Sequence, residues 1–270
     1  MRVVCLAITL LTVPLVAAPK VSGSASAKTA HVEGPRVRVL LAGGVNAALL
    51  EVKGPYRVIR RDCDTPTLLS GGGVGKRYVI HGIDCGLRWG EEFPDVAYLT
   101  VVPTSPQTHF FVNGFQYTGS ISVVLEKSGQ LTIVNETPME DFVKSVLAVK
   151  YQQPVSREAG AALAIVERTR IFAQVLENQN KGMFWDVTAK ESGYCGYGVT
   201  HNNSGVDEAV DWTPFMIVQN VRGQDSLVDL RLPLSKAVEL ASRGCDAKRI
   251  LSESFPHSTL GLTADHASIR

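Results

Sequence analysis

The stretch KSVLAVKYQQPVSREAG, residues Lys144–Gly160, decides the fold because it joins two helix patterns through a short break. Apolar side chains recur at helical spacing as far as Lys150, and the residues Gln152-Gln153-Pro154 then interrupt the pattern. Ser156 is a favourable N-cap residue, so a second helix is predicted to begin there. A lysine therefore stands at the end of the first helix, where a cation interacts favourably with the helix dipole.

Both helices carry sequence signals at their N-termini. Thr137, Pro138 and Glu140 occupy the N-cap, first and third positions of a predicted capping box before the first helix. In the second helix, Glu158 lies in the first turn, where the dipole favours an acid, and the apolar pattern runs to about Asn178. Two helices of unequal length are therefore predicted in the middle of the chain.

The sequence before these helices is rich in short runs of Val, Ile, Tyr and Phe that Gly, Pro, Ser and Asn interrupt, a pattern that predicts strands. The runs are residues 36–42, 48–54, 56–61, 77–82, 96–103, 109–119 and 120–135. The last run is predicted to form a hairpin that turns at Lys127-Ser128-Gly129. The glycine-rich segment Leu68–Lys76 lacks the Gly-Lys-Ser/Thr ending of a phosphate loop, and we expect a flexible connection there.

After the helices, the pattern mixes the two kinds of element. Strands are predicted at residues 183–189, 215–220 and 227–232, and short helices at 234–243 and 247–252. The predicted fold class is α+β, with a β-rich N-terminal half and helices inserted in the C-terminal half of a single compact unit.

Charge and composition narrow the function. The 270 residues include 27 basic and 26 acidic side chains, and 45% of the residues are hydrophobic. A chain with a net charge of +1 lacks the basic excess typical of a nucleic-acid-binding protein, so no nucleic-acid partner is expected.

The N-terminus carries an apolar run of about sixteen residues after Arg2, which suits a signal peptide better than a membrane span. We expect a signal peptide at residues 1–27, a linker at 28–35, one domain at 36–262 and a tail at 263–270. The alternative is an uncleaved N-terminal anchor. The protein is expected to be exported to the periplasm or cell envelope, with no transmembrane span in the mature chain.

Four cysteines follow the predicted signal peptide: Cys63, Cys85, Cys195 and Cys245. An oxidising compartment would allow Cys63 and Cys85 to pair, and the alternative is four separate thiols. Cys195 and His201 share one loop with two asparagines, Asn202 and Asn203, which is too few ligands for a structural zinc site. We therefore expect neither a metal nor a cofactor.

Several segments, taken in order, carry a family resemblance. They are LTIVN (131–135), MEDFVKSVL (139–147), REAGAALAIVERTRIFA (157–173), SGYCG (192–196), AVDWT (209–213) and LASRGCDAKRILSESFP (240–256). Their order and spacing resemble the stage II sporulation protein D / LytB amidase-enhancer family of bacterial cell-wall proteins. The resemblance implies lytic transglycosylase cleavage of peptidoglycan glycan strands, as in cell division, or enhancement of a cell-wall amidase.

The resemblance also implies where the catalytic acid would lie. In that family a glutamate ends the first helix, eighteen residues before the position of Arg168, and here this position is Lys150. An ammonium group is a poor general acid near pH 7. Glu167 replaces a family alanine and is a weak substitute for the acid. The alternatives are that it pairs with Lys150, with Arg170 or with solvent.

Five residues are implied as substrate contacts: Lys150, Arg168, Ser192, Tyr194 and Thr213. The two cations would suit peptidoglycan carboxylates, although Arg168 could instead bond helix C-terminal carbonyls. Tyr194 and Trp212 could stack on sugar rings or pack in the core. Two functions follow: a lytic transglycosylase-like remodeller with a relocated acid, or a degenerate peptidoglycan-binding module or amidase enhancer.

Overall fold

The computed structural model describes residues 34–63, 65–199, 205–219 and 227–264. The predicted signal peptide, most of the linker and most of the tail lie outside these residues, as do His201, Asn202 and Asn203. The described residues contain thirteen strands: β1 (Arg36–Val45), β2 (Ala47–Arg60), β3 (Thr67–Ile83), β4 (Gly86–Trp89), β5 (Glu91–Pro94), β6 (Tyr98–Pro103), β7 (His109–Val112), β8 (Phe115–Tyr117), β9 (Ser120–Leu125), β10 (Leu131–Pro138), β11 (Val187–Thr188), β12 (Met216–Gln219) and β13 (Thr259–Leu262).

The same residues contain six α-helices: α1 (Met139–Lys150), α2 (Arg157–Asn180), α3 (Ala189–Ser192), α4 (Val206–Trp212), α5 (Leu234–Ser242) and α6 (Ala247–Ser254). Ten strands precede α1, and the chain from Gly34 onward forms one compact unit, which confirms the α+β fold class. Of the helices that the structure describes, none has the length and apolar character needed to cross a membrane.

Most strands belong to one mixed sheet in which antiparallel pairs predominate. Its order is β11-β1-β10-β9-β6-β2-β3-β4-β5, and β7 and β8 attach beside β2. The predicted hairpin is confirmed, because Leu131 pairs with Leu125 and Ile133 pairs with Val123 across the β9–β10 turn. Strands β12 and β13 form a separate two-stranded sheet.

The glycine-rich segment is part of a long strand, so the predicted flexible connection is wrong. Lys76, Gly73 and Gly71 all pair with residues of β2, with bulges between them. A Cβ atom on Gly73 would lie 2.5 Å from the ring of Tyr56. Glycine is therefore required here because a neighbouring ring crosses the strand closely, and not because the chain turns.

Two predicted strands near the C-terminus also differ from the structure. The strand predicted at 183–189 is reduced to the two residues of β11, because only these pair with β1. The strand predicted at 227–232 is wrong, since Leu227–Asp229 forms a 3₁₀ turn closed by the bond from the Leu230 N–H to the Leu227 carbonyl.

Helix α2 lies at the centre of the helical half. Its residues from Ala159 to Thr169 are buried without interruption, which is typical of a helix that neighbours surround on all sides. Small side chains allow this close packing, since a Cβ on Gly160 would lie 3.0 Å from the Cβ of Ala209 in α4. Polar groups in this part of α2 must therefore find partners within the protein.

Candidate functional site

Arg168 forms the buried polar centre that joins α1, α2 and β12. Its side chain has no exposed surface. Nε and Nη2 donate to the two carboxylate oxygens of Glu140 over 2.6–3.1 Å, and Nη1 donates to the Met216 carbonyl over 3.0 Å. Nη2 also lies 3.5 Å from the Val210 carbonyl, in the last turn of α4. Of the two roles left open for Arg168, these contacts correspond to the structural one, and the guanidinium has no surface that a ligand could reach in this structure.

The predicted capping box is wrong because Glu140 binds Arg168. Helix α1 begins at Met139 after Pro138, and Thr137 belongs to β10. Glu140 extends to Arg168 instead of back to the N-cap residue, and it also accepts from the Phe215 N–H over 3.2 Å. That bond stabilises a bulky residue in the left-handed region, with φ at 63°.

Lys150 and Glu167 are the two predicted site residues that the structure brings together. Lys150 is the last residue of α1, and its side chain is 50% exposed. Its Nζ lies 3.7 Å from Oε2 of Glu167, whose side chain is only 8% exposed. The other oxygen of Glu167 accepts a bond from Arg170, so the carboxylate has both cationic partners that the sequence left as alternatives.

Tyr151 lies beside this ion pair. Its ring centroid is 5.5 Å from the Lys150 Nζ, and the residue is buried. Burial raises the pKa of the Tyr151 hydroxyl to about 12, and the negative charge of Glu167 adds to the effect. The phenol therefore stays neutral at physiological pH, and its hydroxyl is a poor proton donor to a sugar oxygen there.

Tyr194 is held in the core between α1 and the sheet. Its hydroxyl donates to the side-chain oxygen of Asn135 over 2.8 Å, and its ring stacks on Phe142 with centroids 5.0 Å apart. Asn135 in turn donates to the carbonyls of Thr118 and Ser120. Burial raises the pKa of the Tyr194 hydroxyl. Of its two predicted roles, these contacts match core packing.

Ser192 and Thr213 use their hydroxyl groups at the ends of short helices. Ser192 is half-buried and donates to the Thr188 carbonyl over 2.7 Å. Thr213 is buried and donates to the Ala209 carbonyl over 2.9 Å. Ser192 thus bonds the carbonyl of the residue that caps the N-terminus of α3, and Thr213 bonds one of the last four carbonyls of α4, so both hydroxyl groups satisfy backbone acceptors of their own segments.

The exposed end of α4 carries an aromatic residue that the sequence had indicated, and a cation of α2 that it had not indicated packs on it. Trp212 is 45% exposed, and the Cζ atom of Arg157 lies 3.8 Å from the centre of its ring. Nearby, Lys144 of α1 forms a 2.7 Å ion pair with Asp211. The contact with Arg157 depends on the packing of α2 against α4, so no local pattern in the sequence indicates it.

The four described cysteines are all free thiols, including Cys63 and Cys85, which are both exposed. The Cys63 thiol donates to the Thr65 carbonyl over 3.0 Å. No cluster of three or more metal-ligating side chains occurs among the residues that the structure describes.

Comparison of the sequence with known proteins shows which family and which relatives this chain is similar to. A family model for the stage II sporulation protein SpoIID matches residues 127–219, from the β9–β10 turn to the end of β12. An uncharacterised protein of Chlamydia pneumoniae is 37% identical over 222 residues, which cover 82% of this chain and 79% of the relative. An uncharacterised protein of Chlamydia muridarum (strain MoPn / Nigg) is 38% identical over 226 residues, or 84% and 77% of the two chains. The chain thus belongs to the SpoIID family, a membership consistent with a cell-wall-related role.

Proposed function

We propose that this protein is exported and binds the glycan strands of peptidoglycan without cleaving them through the family's usual acid. Family membership supports a cell-wall role, and the apolar run at residues 3–18 supports export. The observation that carries the proposal is the ion pair between Lys150 and Glu167, which occupies the place where the resembling enzymes have a glutamate.

The geometry of this pair disfavours proton donation to a glycosidic oxygen. A general acid must present a protonated group within hydrogen-bonding distance of the leaving oxygen. The exposed group here is an ammonium, which is a poor acid near neutral pH. The carboxylate beside it is buried, and each of its two oxygens contacts a cation. A binding surface for an anionic polymer is therefore a better match than an acid catalyst.

Cleavage is the second candidate, and the same contact is the observation that favours it. Because Glu167 lies 3.7 Å from Lys150, the structure retains a carboxylate beside the position of the missing acid. Rotation of the Lys150 side chain would expose Glu167 to a bound strand. In that case a protonated Glu167 would donate its proton to the leaving oxygen as the glycosidic C1–O bond breaks. The sugar's own 6-hydroxyl would then bond to C1 to close a 1,6-anhydro ring and return its proton to the Glu167 carboxylate.

One experiment separates the two candidates. Purified protein is incubated with amidase-treated glycan strands, the products are searched by mass spectrometry for 1,6-anhydro ends, and binding is measured by pelleting with peptidoglycan. We expect pelleting without anhydro ends. Anhydro ends that disappear in Glu167→Gln would establish the second candidate, and failure to pellet would overturn the binding function.

A matched variant tests whether the residues at 150 and 167 account for the absence of cleavage that we propose. Lys150→Glu combined with Glu167→Ala restores the pair that the family resemblance implies, and Lys150→Gln serves as the control. We expect anhydro ends from the double variant and none from the control.

A cell-wall amidase is a proposed partner of this protein. Faster digestion of peptidoglycan by the amidase in the presence of the protein would support that partnership.

A further inference from the structure

Trp212 is the most exposed tryptophan in the described residues, and its position is fixed by a charged neighbour. By contrast, Trp89 has no exposed surface, and its indole N–H is bonded to the Leu50 carbonyl. Trp212 ends α4 with 45% of its surface exposed, and the guanidinium of Arg157 stacks on its ring at 3.8 Å. A stacked cation limits the rotation of the indole, so the exposed part is a rigid apolar surface.

Arg157 still has donors available while it stacks. It is an exposed residue at the start of α2, and the ion pairs between described residues do not include it. The N–H groups of a guanidinium lie in its plane, so stacking through its face leaves its edge able to bind a carboxylate with two bonds. The neighbouring carboxylate of Asp211 already has a cationic partner in Lys144, 2.7 Å away.

We propose that Trp212 and Arg157 form a subsite for an amino sugar that carries a carboxylate. The indole would take the apolar C–H face of the pyranose ring, and the guanidinium edge would bind the carboxylate. This inference rests on the proposed function, because muramic acid, with its lactyl carboxylate, is the sugar of glycan strands that has both features. A neutral N-acetylglucosamine residue would contact the indole but has no carboxylate for the guanidinium to bind.

The subsite lies apart from the Lys150–Glu167 pair along the same helix. Ten residues separate Arg157 from Glu167 in α2, and at 1.5 Å per residue this is roughly 15 Å along the helix axis. Only a ligand of several sugar units could therefore contact both places. The subsite would bind a polymer and would contribute little to recognition of a single monosaccharide at Lys150.

The test measures the affinity of the full exported chain for soluble amidase-treated glycan strands, in which the lactyl carboxylate is free, and for chitin oligosaccharides of matched length, which lack it. We expect Trp212→Ala to weaken binding of both ligands about tenfold, which corresponds to about 1.4 kcal/mol of binding free energy. Arg157→Gln should weaken binding of the glycan strands about tenfold and chitin binding by much less, because chitin loses only the rigidity of the indole and has no carboxylate contact to lose. Arg243→Gln, which removes another exposed arginine charge, is the matched control and should change neither.

The outcomes separate the subsite from the general function. If no protein, wild type included, binds the strands, the proposed function fails and the subsite with it. If wild type binds and Trp212→Ala binds equally well, the subsite is refuted and the function stands. Equal weakening of both ligands by Arg157→Gln would refute carboxylate recognition. Circular dichroism checks the fold of each variant, and if Trp212→Ala does not fold, Trp212→Leu, which also lacks the ring, and Arg157→Gln provide the same comparison.

Discussion

Replacing Glu140 by glutamine should destabilise this protein more than removal of any exposed charge. The guanidinium of Arg168 is fully buried and has three contacts of 2.6–3.1 Å with the Glu140 carboxylate. Removing one partner of a buried ion pair leaves the other charge uncompensated, at a cost of about 3–5 kcal/mol. The Glu140 side chain is itself 20% exposed, so water relieves part of the loss, and we expect about 3 kcal/mol.

Equilibrium unfolding in urea, followed by circular dichroism, measures this free energy directly. For a unit of this size, a loss of about 3 kcal/mol corresponds to a midpoint roughly 6–12 °C lower in a thermal scan. The matched control is Glu253→Gln, which removes the carboxylate from an exposed pair with Arg249 at 2.9 Å. We expect that control to lose less than about 1 kcal/mol. If the slope of the unfolding free energy against urea concentration is the same for the variant and the wild type, the variant has changed in stability and not in the surface area exposed on unfolding.

A double variant shows whether the loss comes from the unpaired charge. Arg168→Met combined with Glu140→Leu removes both charges, so it should be less destabilised than the sum of the two single variants. A loss below about 1 kcal/mol for Glu140→Gln, or strict additivity in the double variant, would refute the conclusion that this pair fixes α1 to α2.

Three further changes test other parts of the fold. Tyr194→Phe leaves the buried side-chain oxygen of Asn135 without its hydroxyl donor, and urea unfolding should show a loss of about 1–3 kcal/mol; an unchanged value would mean that water replaces the donor. Gly73→Ala places a Cβ 2.5 Å from a tyrosine ring and should cost about 1–3 kcal/mol, whereas Gly71→Ala, whose nearest contact would be 3.7 Å away, should cost less; equal effects would contradict the packing argument. Burial opposes the charge of Asp62, but hydrogen bonds from a backbone N–H and a neighbouring guanidinium outweigh it and hold its pKa below 3.8. Its stabilising effect is therefore present above about pH 4 and lost as the pH falls through the lowered pKa, so Asp62→Asn should weaken the acid dependence of unfolding, and an identical pH profile would refute this.

The sequence predicted the elements whose signal is local. Helix α2 begins directly after Ser156, as predicted, and ends two residues beyond Asn178. The β9–β10 hairpin follows from alternating apolar residues and a turn of small residues. These features depend on neighbours within a few positions, so a single sequence contains the information that they require.

The predictions failed where a distant partner outweighed a local preference. The residues from Thr137 to Glu140 fit a capping box, but Glu140 binds Arg168, 28 positions away, because a buried guanidinium needs a carboxylate more than a helix end needs a cap. Glycines in the segment 68–76 suggested a flexible connection, but Gly73 leaves the space that the ring of Tyr56 occupies. Neither competition is visible until the packing is known.

In the candidate site, two consecutive residues have distant partners that a local sequence pattern does not indicate. Glu167 and Arg168 are adjacent in α2, but successive helical positions point about 100° apart, so one side chain contacts Lys150 and the other enters the core. Counting from the family pattern places Lys150 at the position of the acid. The same count cannot show that the buried carboxylate of Glu167, in the next helix, contacts Lys150. The resemblance implies a glutamate at position 150 and an alanine at 167, whereas this chain has an exposed ammonium at 150 and a buried carboxylate beside it at 167. A glycan strand that approaches this end of α1 would therefore meet an ammonium where the resembling enzymes present a proton donor. For that reason the Lys150→Glu/Glu167→Ala variant should restore cleavage.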